Sequence, residues 1–144
     1  MAVIFLVEDE IAYRTMLSGM LASAGHSVVL ADNGLEAAKL MGHWKESAPG
    51  LVITDQKMPG LSGYEVIRIL RSESALRRVP VLLLTAFPDV VRDIVEYDGV
   101  KLLDKMTPPN KILETVEQLL LECPPPLLPP APPKPLVINR GFTF

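Results

Sequence analysis

Five short apolar runs punctuate the chain, and between them apolar positions recur at three- and four-residue steps. The runs are AVIFLV (2–7), HSVVLA (26–31), LVIT (51–54), VPVLLLT (79–85) and VKLL (100–103). The central runs show no alternation of polar and apolar residues, which predicts strands covered on both faces. Strands separated by stretches of helical period predict an α/β fold, a parallel five-stranded sheet wrapped by helices.

The intervening helices have readable ends. Ile11, Leu17, Met20, Leu21 and Ala24 form one apolar stripe that stops before Gly25, a residue suited to the position just past a helix. Asn33 and Glu36 bracket a second start, and Ser62 with Glu65 has the spacing of a capping box for a third. Tyr64, Ile67 and Leu70 are among the apolar positions of that third helix. Thr107 and Pro108 read as the cap and first residue of a last helix whose inward positions are Ile112, Leu113, Val116, Leu119 and Leu120. The segment 88–97 reads as a short helix closed by Asp98-Gly99.

Composition narrows what such a domain does. The chain has 144 residues, 49% of them hydrophobic, and a net charge of −3, so it has a core but no broad cationic surface for nucleic acid or anionic lipid. The single cysteine, Cys123, excludes an internal disulfide and fits a reducing compartment, the cytoplasm. The N-terminal apolar run stops at Glu8 without a basic flank, unlike a signal peptide or a membrane span. From residue 124 the character changes: 124–135 hold eight of the 14 prolines and read as a polyproline linker, and 136–144, LVINRGFTF, return to strand-like chemistry. Residues 1–123 are thus expected to form the domain. The tail carries Lys134 and Arg140 but no acid, and disorder is its default. The sharper expectation is addition to a sheet edge or to a second copy, giving a homodimer.

In an open parallel sheet, ligands bind beyond the carboxyl ends of the strands where strand order reverses. The first run is followed by Glu8, Asp9 and Glu10, and the third by Asp55. If those strands are neighbours, several carboxylates meet at one edge, where they repel and call for a cation. A hard divalent ion such as Mg2+ suits an all-oxygen set. The fourth run ends at Thr85, a hydroxyl, and the fifth is followed by Lys105, an ammonium. Taken singly, each has a plain explanation: Asp9 as a helix cap, Thr85 as a strand former, Lys105 as a solvated charge. Their order on four strand ends favours a phosphoryl-transfer site in which a carboxylate takes the phosphoryl group.

The segments LVEDE, LVITDQKMPGLSGYEVI, VPVLLLTA and LLDK, in this order and spacing, resemble the receiver domain of two-component response regulators, over residues 1 to about 122. That resemblance implies a doubly wound, flavodoxin-like fold with strand order 2-1-3-4-5. It implies Asp55 as phosphoacceptor, Asp9 as a direct Mg2+ ligand, Glu8 as one acting through water, and the Lys57 backbone carbonyl as a further ligand. Thr85, the backbone N–H of Ala86 and Lys105 would contact phosphoryl oxygens. The implied partners are a sensor histidine kinase or phosphotransfer protein and a downstream protein. The chain would act as a phosphoacceptor with self-dephosphorylation chemistry rather than as an enzyme. Gly63 would allow close approach at the next helix start, and Met58 reads equally as loop packing.

Departures from the family sit beside the site. Leu102 stands where receivers carry a switch aromatic, and Met106 follows Lys105 where they carry proline. Lys57 and Phe87 flank the path of the attacking water in the family, which suggests slow self-dephosphorylation here. Two other classes compete with the phosphoacceptor: a receiver-fold interaction module that is never phosphorylated, and an aspartyl-phosphate phosphatase. The second is disfavoured because EDE replaces the D-x-D of that class after the first strand.

Overall fold

The computed structural model describes residues 2–42, 48–73, 76–86 and 99–122. Phe87, the segment 88–97, Cys123, the proline stretch and the C-terminal tail fall outside the described residues. Five strands, β1 (Val3–Val7), β2 (Ser27–Ala31), β3 (Leu51–Asp55), β4 (Val81–Thr85) and β5 (Val100–Asp104), pair in parallel in the order β2-β1-β3-β4-β5. Four helices are described: α1 (Ile11–Ser23), α2 (Gly34–Gly42), α3 (Gly63–Ser72) and α4 (Pro109–Glu122).

Successive strand residues point to opposite faces, so each unbroken apolar run supplies two cores. Phe5, Val7, Val52, Val81 and Leu83 pack with Ala37, Met41, Ile67 and Leu70 of α2 and α3. Ile4, Leu6, Leu51, Ile53, Leu82 and Leu84 pack with Leu17 and Leu21 of α1 and with Ile112, Val116 and Leu119 of α4. Each fully buried large apolar side chain contributes roughly 1.5–3 kcal/mol. Two filled layers therefore outweigh the several kcal/mol that buried charges at their edge cost.

Local chemistry sets the helix ends. At the end of α1, Gly25 has φ +94°, its N–H donates to the Ala22 carbonyl, and the His26 N–H donates to the Leu21 carbonyl. This paired motif satisfies two carbonyls that the helix leaves open, and glycine makes the left-handed turn cheap. Asn33 Oδ1 accepts the Glu36 N–H at 2.7 Å and so caps α2. The capping box at α3 is complete, with Ser62 and Glu65 each accepting the other's backbone N–H. α4 starts one residue later than the sequence suggests: the Pro108 carbonyl accepts the Ile112 N–H, which makes Pro108 the cap and Pro109 the first helical residue.

Two members of the α1 stripe, Ile11 and Ala24, are misplaced by periodicity alone. Ile11 is 69% exposed because it begins the helix beyond the carboxyl end of the sheet, where no strand lies beneath it. Ala24 is exposed as well. Asp9 does not cap α1; Glu10 holds that position without a side-chain hydrogen bond. Among the described residues, no helix is long and apolar enough to cross a membrane.

Candidate functional site

Strand order brings β1 and β3 side by side, and the crossovers from them run to opposite faces of the sheet. The crevice between their carboxyl ends is the switch point where α/β sheets bind ligands. Glu8 continues β1, its N–H donating to the Ala31 carbonyl at 3.1 Å. Asp55 is the last residue of β3, one further than the apolar run suggests. Glu8 and Asp55 are buried, and Asp9 is partly buried. Candidate ligand atoms of Glu8, Asp9 and Asp55 lie within 4.8 Å of one another.

Lys105 enters this cluster from the far edge. Its Nζ lies 2.8 Å from Glu8 Oε1 and 3.0 Å from Asp55 Oδ2. The backbone that carries it is fixed at three points. Lys105 N–H donates to the Thr85 carbonyl at 2.9 Å, extending the β4–β5 ladder by one residue. Asp104 Oδ1 accepts the Met106 N–H at 2.8 Å, and the Asp104 carbonyl accepts the Thr107 N–H at 2.9 Å. The turn is thus built on an aspartate side chain, and Met106, which supplies the N–H, is itself exposed.

Charge at the site is incompletely balanced. Among the described residues, three carboxylates face one ammonium, a surplus of two negative charges. The Glu8 carboxyl is held above its usual range, first by burial and further by the Asp55 charge, although the hydrogen bond from Lys105 pulls it back. Burial alone would push the Lys105 ammonium down; hydrogen bonds to Glu8 and Asp55 outweigh it and hold its pKa above 10.5.

This donor set fits Mg2+: hard oxygens, a surplus of two charges, and a spread of 4.8 Å. Oxygens on opposite sides of an octahedral Mg2+ are about 4.2 Å apart, so only a small contraction is required. Two of the carboxylates, Glu8 and Asp55, already share a cation partner in Lys105.

The loop after Asp55 is built to hold that carboxylate still. Asp55 Oδ1 accepts the Gln56 N–H at 2.7 Å. Gln56 then reaches forward, its side-chain carbonyl accepting the Tyr64 N–H at 2.8 Å and its backbone carbonyl accepting the Gly63 N–H at 2.9 Å. β3 is thereby tied directly to the start of α3. Gly63 is what lets the two come so close. A Cβ there would lie inside contact distance of the Asp55 carbonyl oxygen and 2.8 Å from Leu83 Cδ1. Gly63→Ala should cost about 2–3 kcal/mol. Urea denaturation checks this, and a loss below about 0.5 kcal/mol would mean the contact yields easily.

Thr85 is buried at the end of β4, and Ala86, next to it, is exposed. Lys57 is exposed, while Met58 packs against the α2/α3 face of the core, the loop-packing role. Leu102 is partly buried against that same core and pairs with Leu83, so an aliphatic side chain fills the position. Phe87 lies outside the described residues.

Sequence reasoning missed three residues at the site. Arg14 Nη1 donates to the Glu8 carbonyl at 2.9 Å. Gln56 bridges to α3 as described. Tyr13 lies under Lys105, with Nζ 4.6 Å from its ring centroid. For Tyr13 and Arg14 the available signal was position: both stand in the first turn of the helix that leaves the acidic pair.

Comparison with known proteins agrees with this geometry. A family model described as the response regulator receiver domain matches residues 4–117. The transcriptional regulatory protein AfsQ1 of Streptomyces coelicolor is 37% identical over 96 residues, covering 67% of this chain and 40% of that protein. The chain spans about half the length, or less, of the curated relatives it matches. The chemotaxis response regulator CheY4 of Vibrio cholerae has a TM-score of 0.73 and 28% identity, covering 83% of this chain and 98% of that one. The receiver domain of the sensor histidine kinase PA1611 from Pseudomonas aeruginosa, with a magnesium ion coordinated in its active-site cleft, has a TM-score of 0.73 and 25% identity, covering 83% and 97%. With its strand order, its acidic crevice and these matches, the chain belongs to the response regulator receiver family of two-component signal transduction.

Proposed function

We propose that this domain takes a phosphoryl group on Asp55 from a histidine kinase or phosphotransfer protein and thereby changes its affinity for a downstream protein. The observation that carries the reading is the meeting of buried Glu8 and Asp55 with partly buried Asp9 and Lys105 at the β1/β3 switch point. An Asp55 carboxylate oxygen attacks phosphorus, the new O–P bond forms as the donor's P–N bond breaks, and the imidazole leaves with that electron pair. Asp55 is positioned for this by the Gln56 N–H on one oxygen and the Lys105 ammonium on the other. Glu8, Asp9, Asp55 and the Lys57 backbone carbonyl would hold Mg2+, which when bound neutralises charge on the transferring oxygens.

Lys105 then pairs with one phosphoryl oxygen, and the Thr85 hydroxyl and Ala86 N–H take others. The chain's own chemistry ends at acceptance and slow hydrolysis of the acyl phosphate, so the domain is a switch rather than an enzyme. With Leu102 in place of an aromatic, the output movement runs through aliphatic packing against Leu83 and the α3 face. The intended readers are a kinase and a protein effector, without direct nucleic-acid contact by the described domain. AfsQ1 is a transcriptional regulator by name, but 60% of its length has no counterpart in the match.

Incubation with a small phosphodonor and Mg2+, followed by intact-mass measurement, tests the proposal. A single phosphoryl adduct that requires Mg2+ is expected. No adduct on the wild-type chain would leave the phosphorylation-independent interaction module as the better reading.

A further inference from the structure

Among the described residues, Lys105 Nζ has three partners: Glu8 Oε1 at 2.8 Å, Asp55 Oδ2 at 3.0 Å and the Tyr13 ring at 4.6 Å from its centroid. Phosphoryl transfer changes the first two, because Asp55 becomes an acyl phosphate and the carboxylates engage the metal. The ring is the neighbour that the chemistry leaves unaltered. We propose that Tyr13 is a positioning residue for Lys105, its ring seating the ammonium so that the lysine stays at the carboxyl edge when its carboxylate partners are taken. The inference rests on the phosphoacceptor reading and deepens it.

The geometry supports a seat rather than an incidental contact. An ammonium within about 6 Å of a ring centroid is attracted to the ring face, most strongly where water is excluded. Lys105 is largely buried here, and Tyr13 is partly buried, packed on the α1/α4 core. The face that holds the lysine is therefore fixed from behind. Tyr13 Oη also donates to the Lys105 carbonyl at 3.3 Å. That distance is long for a hydroxyl donor, so the ring carries most of the hold. Burial pushes the phenol up to about 12, which keeps the ring neutral and its hydroxyl a donor. Met106 follows Lys105 and is exposed, so the lysine gains no side-chain packing from the next residue.

The test compares wild type, Tyr13→Phe and Tyr13→Leu in the full chain. Phosphorylation rates are measured against phosphodonor concentration, alongside the proton chemical shifts of the Lys105 ε-methylene before phosphorylation. Tyr13→Leu, which keeps apolar volume but loses the ring, should lower the maximal rate roughly fivefold and leave the half-saturating concentration unchanged. Tyr13→Phe should recover most of that loss. The ε-methylene protons should be displaced upfield by the ring in wild type and Tyr13→Phe, and should return to ordinary values in Tyr13→Leu. A folded Tyr13→Leu protein with the wild-type rate would overturn the proposal, as would equal losses in both variants or wild-type ε-protons without a ring shift. Absence of any adduct on wild type would be a failure of the phosphoacceptor reading; the ring shift is read without phosphorylation and judges the seat separately.

Discussion

Lys105→Met is expected to lower stability at neutral pH by about 3 kcal/mol, because it strips a shared cation from the buried pair of carboxylates Glu8 and Asp55. For a domain of this size that is a fall of roughly 10 °C in the unfolding midpoint. Methionine keeps most of the stem, so the loss reports on charge rather than on packing. In wild type, Nζ lies within 3.0 Å of both Glu8 and Asp55.

The sign of the pH dependence follows from the two shifted groups. The Lys105 pKa is raised in the fold, so its contribution is fully present below 10.5 and disappears as pH rises through the folded value. The Glu8 pKa is also raised, chiefly by burial, so its contribution is fully present below 4.5 and is lost as pH rises through its folded value. Ionised Glu8 therefore weakens the fold at neutral pH. Removing Lys105 raises it further, and the variant should gain more than wild type on acidification. Denaturation curves across pH should show the gap between the two proteins narrowing toward both ends. Mg2+ should narrow it too, since an ion bound to the native acidic cluster stabilises whichever protein has more unbalanced charge. A gap that is constant across pH and indifferent to Mg2+ would contradict the electrostatic account.

Asp55→Asn should abolish phosphoryl acceptance, by more than about a thousandfold, while leaving the fold intact. The carboxamide matches the carboxylate in size but has no anionic oxygen to attack phosphorus. It also removes one of the charges that raise the Glu8 pKa, and the Glu8–Lys105 pair at 2.8 Å remains. The variant should therefore be at least as stable as wild type, which separates loss of chemistry from loss of structure. Residual adduct at the wild-type level would move the acceptor elsewhere.

Much of this was legible in the chain because the relevant signals are local. The runs at Ile4, Val52 and Leu83 show no alternation of polar and apolar residues because helices cover both sides of those strands. The Ser62/Glu65 box and the Asn33 cap are three-residue patterns and appear as read. Asp9, Glu8 and Asp55 could be grouped because each directly follows or ends an apolar run at one end of the sheet. What was not legible depends on distant contacts or on the limits of a surface. Tyr13 and the Lys105 carbonyl are 92 positions apart, and nothing in a helix's first turn announces which cation will rest on it. Ile11 matches the helical period yet overhangs the sheet. Gln56 spans eight positions to Tyr64, a link that depends on how tightly the loop folds back over Gly63.

The central claim is that Asp55 itself carries the phosphoryl group. Borohydride reduction of the phosphorylated chain converts an aspartyl phosphate to homoserine, and peptide mapping locates it. Homoserine is expected at residue 55 and nowhere else, formed only when Mg2+ was present during phosphorylation. Reduction at another residue, or an adduct that survives borohydride unchanged, would contradict it.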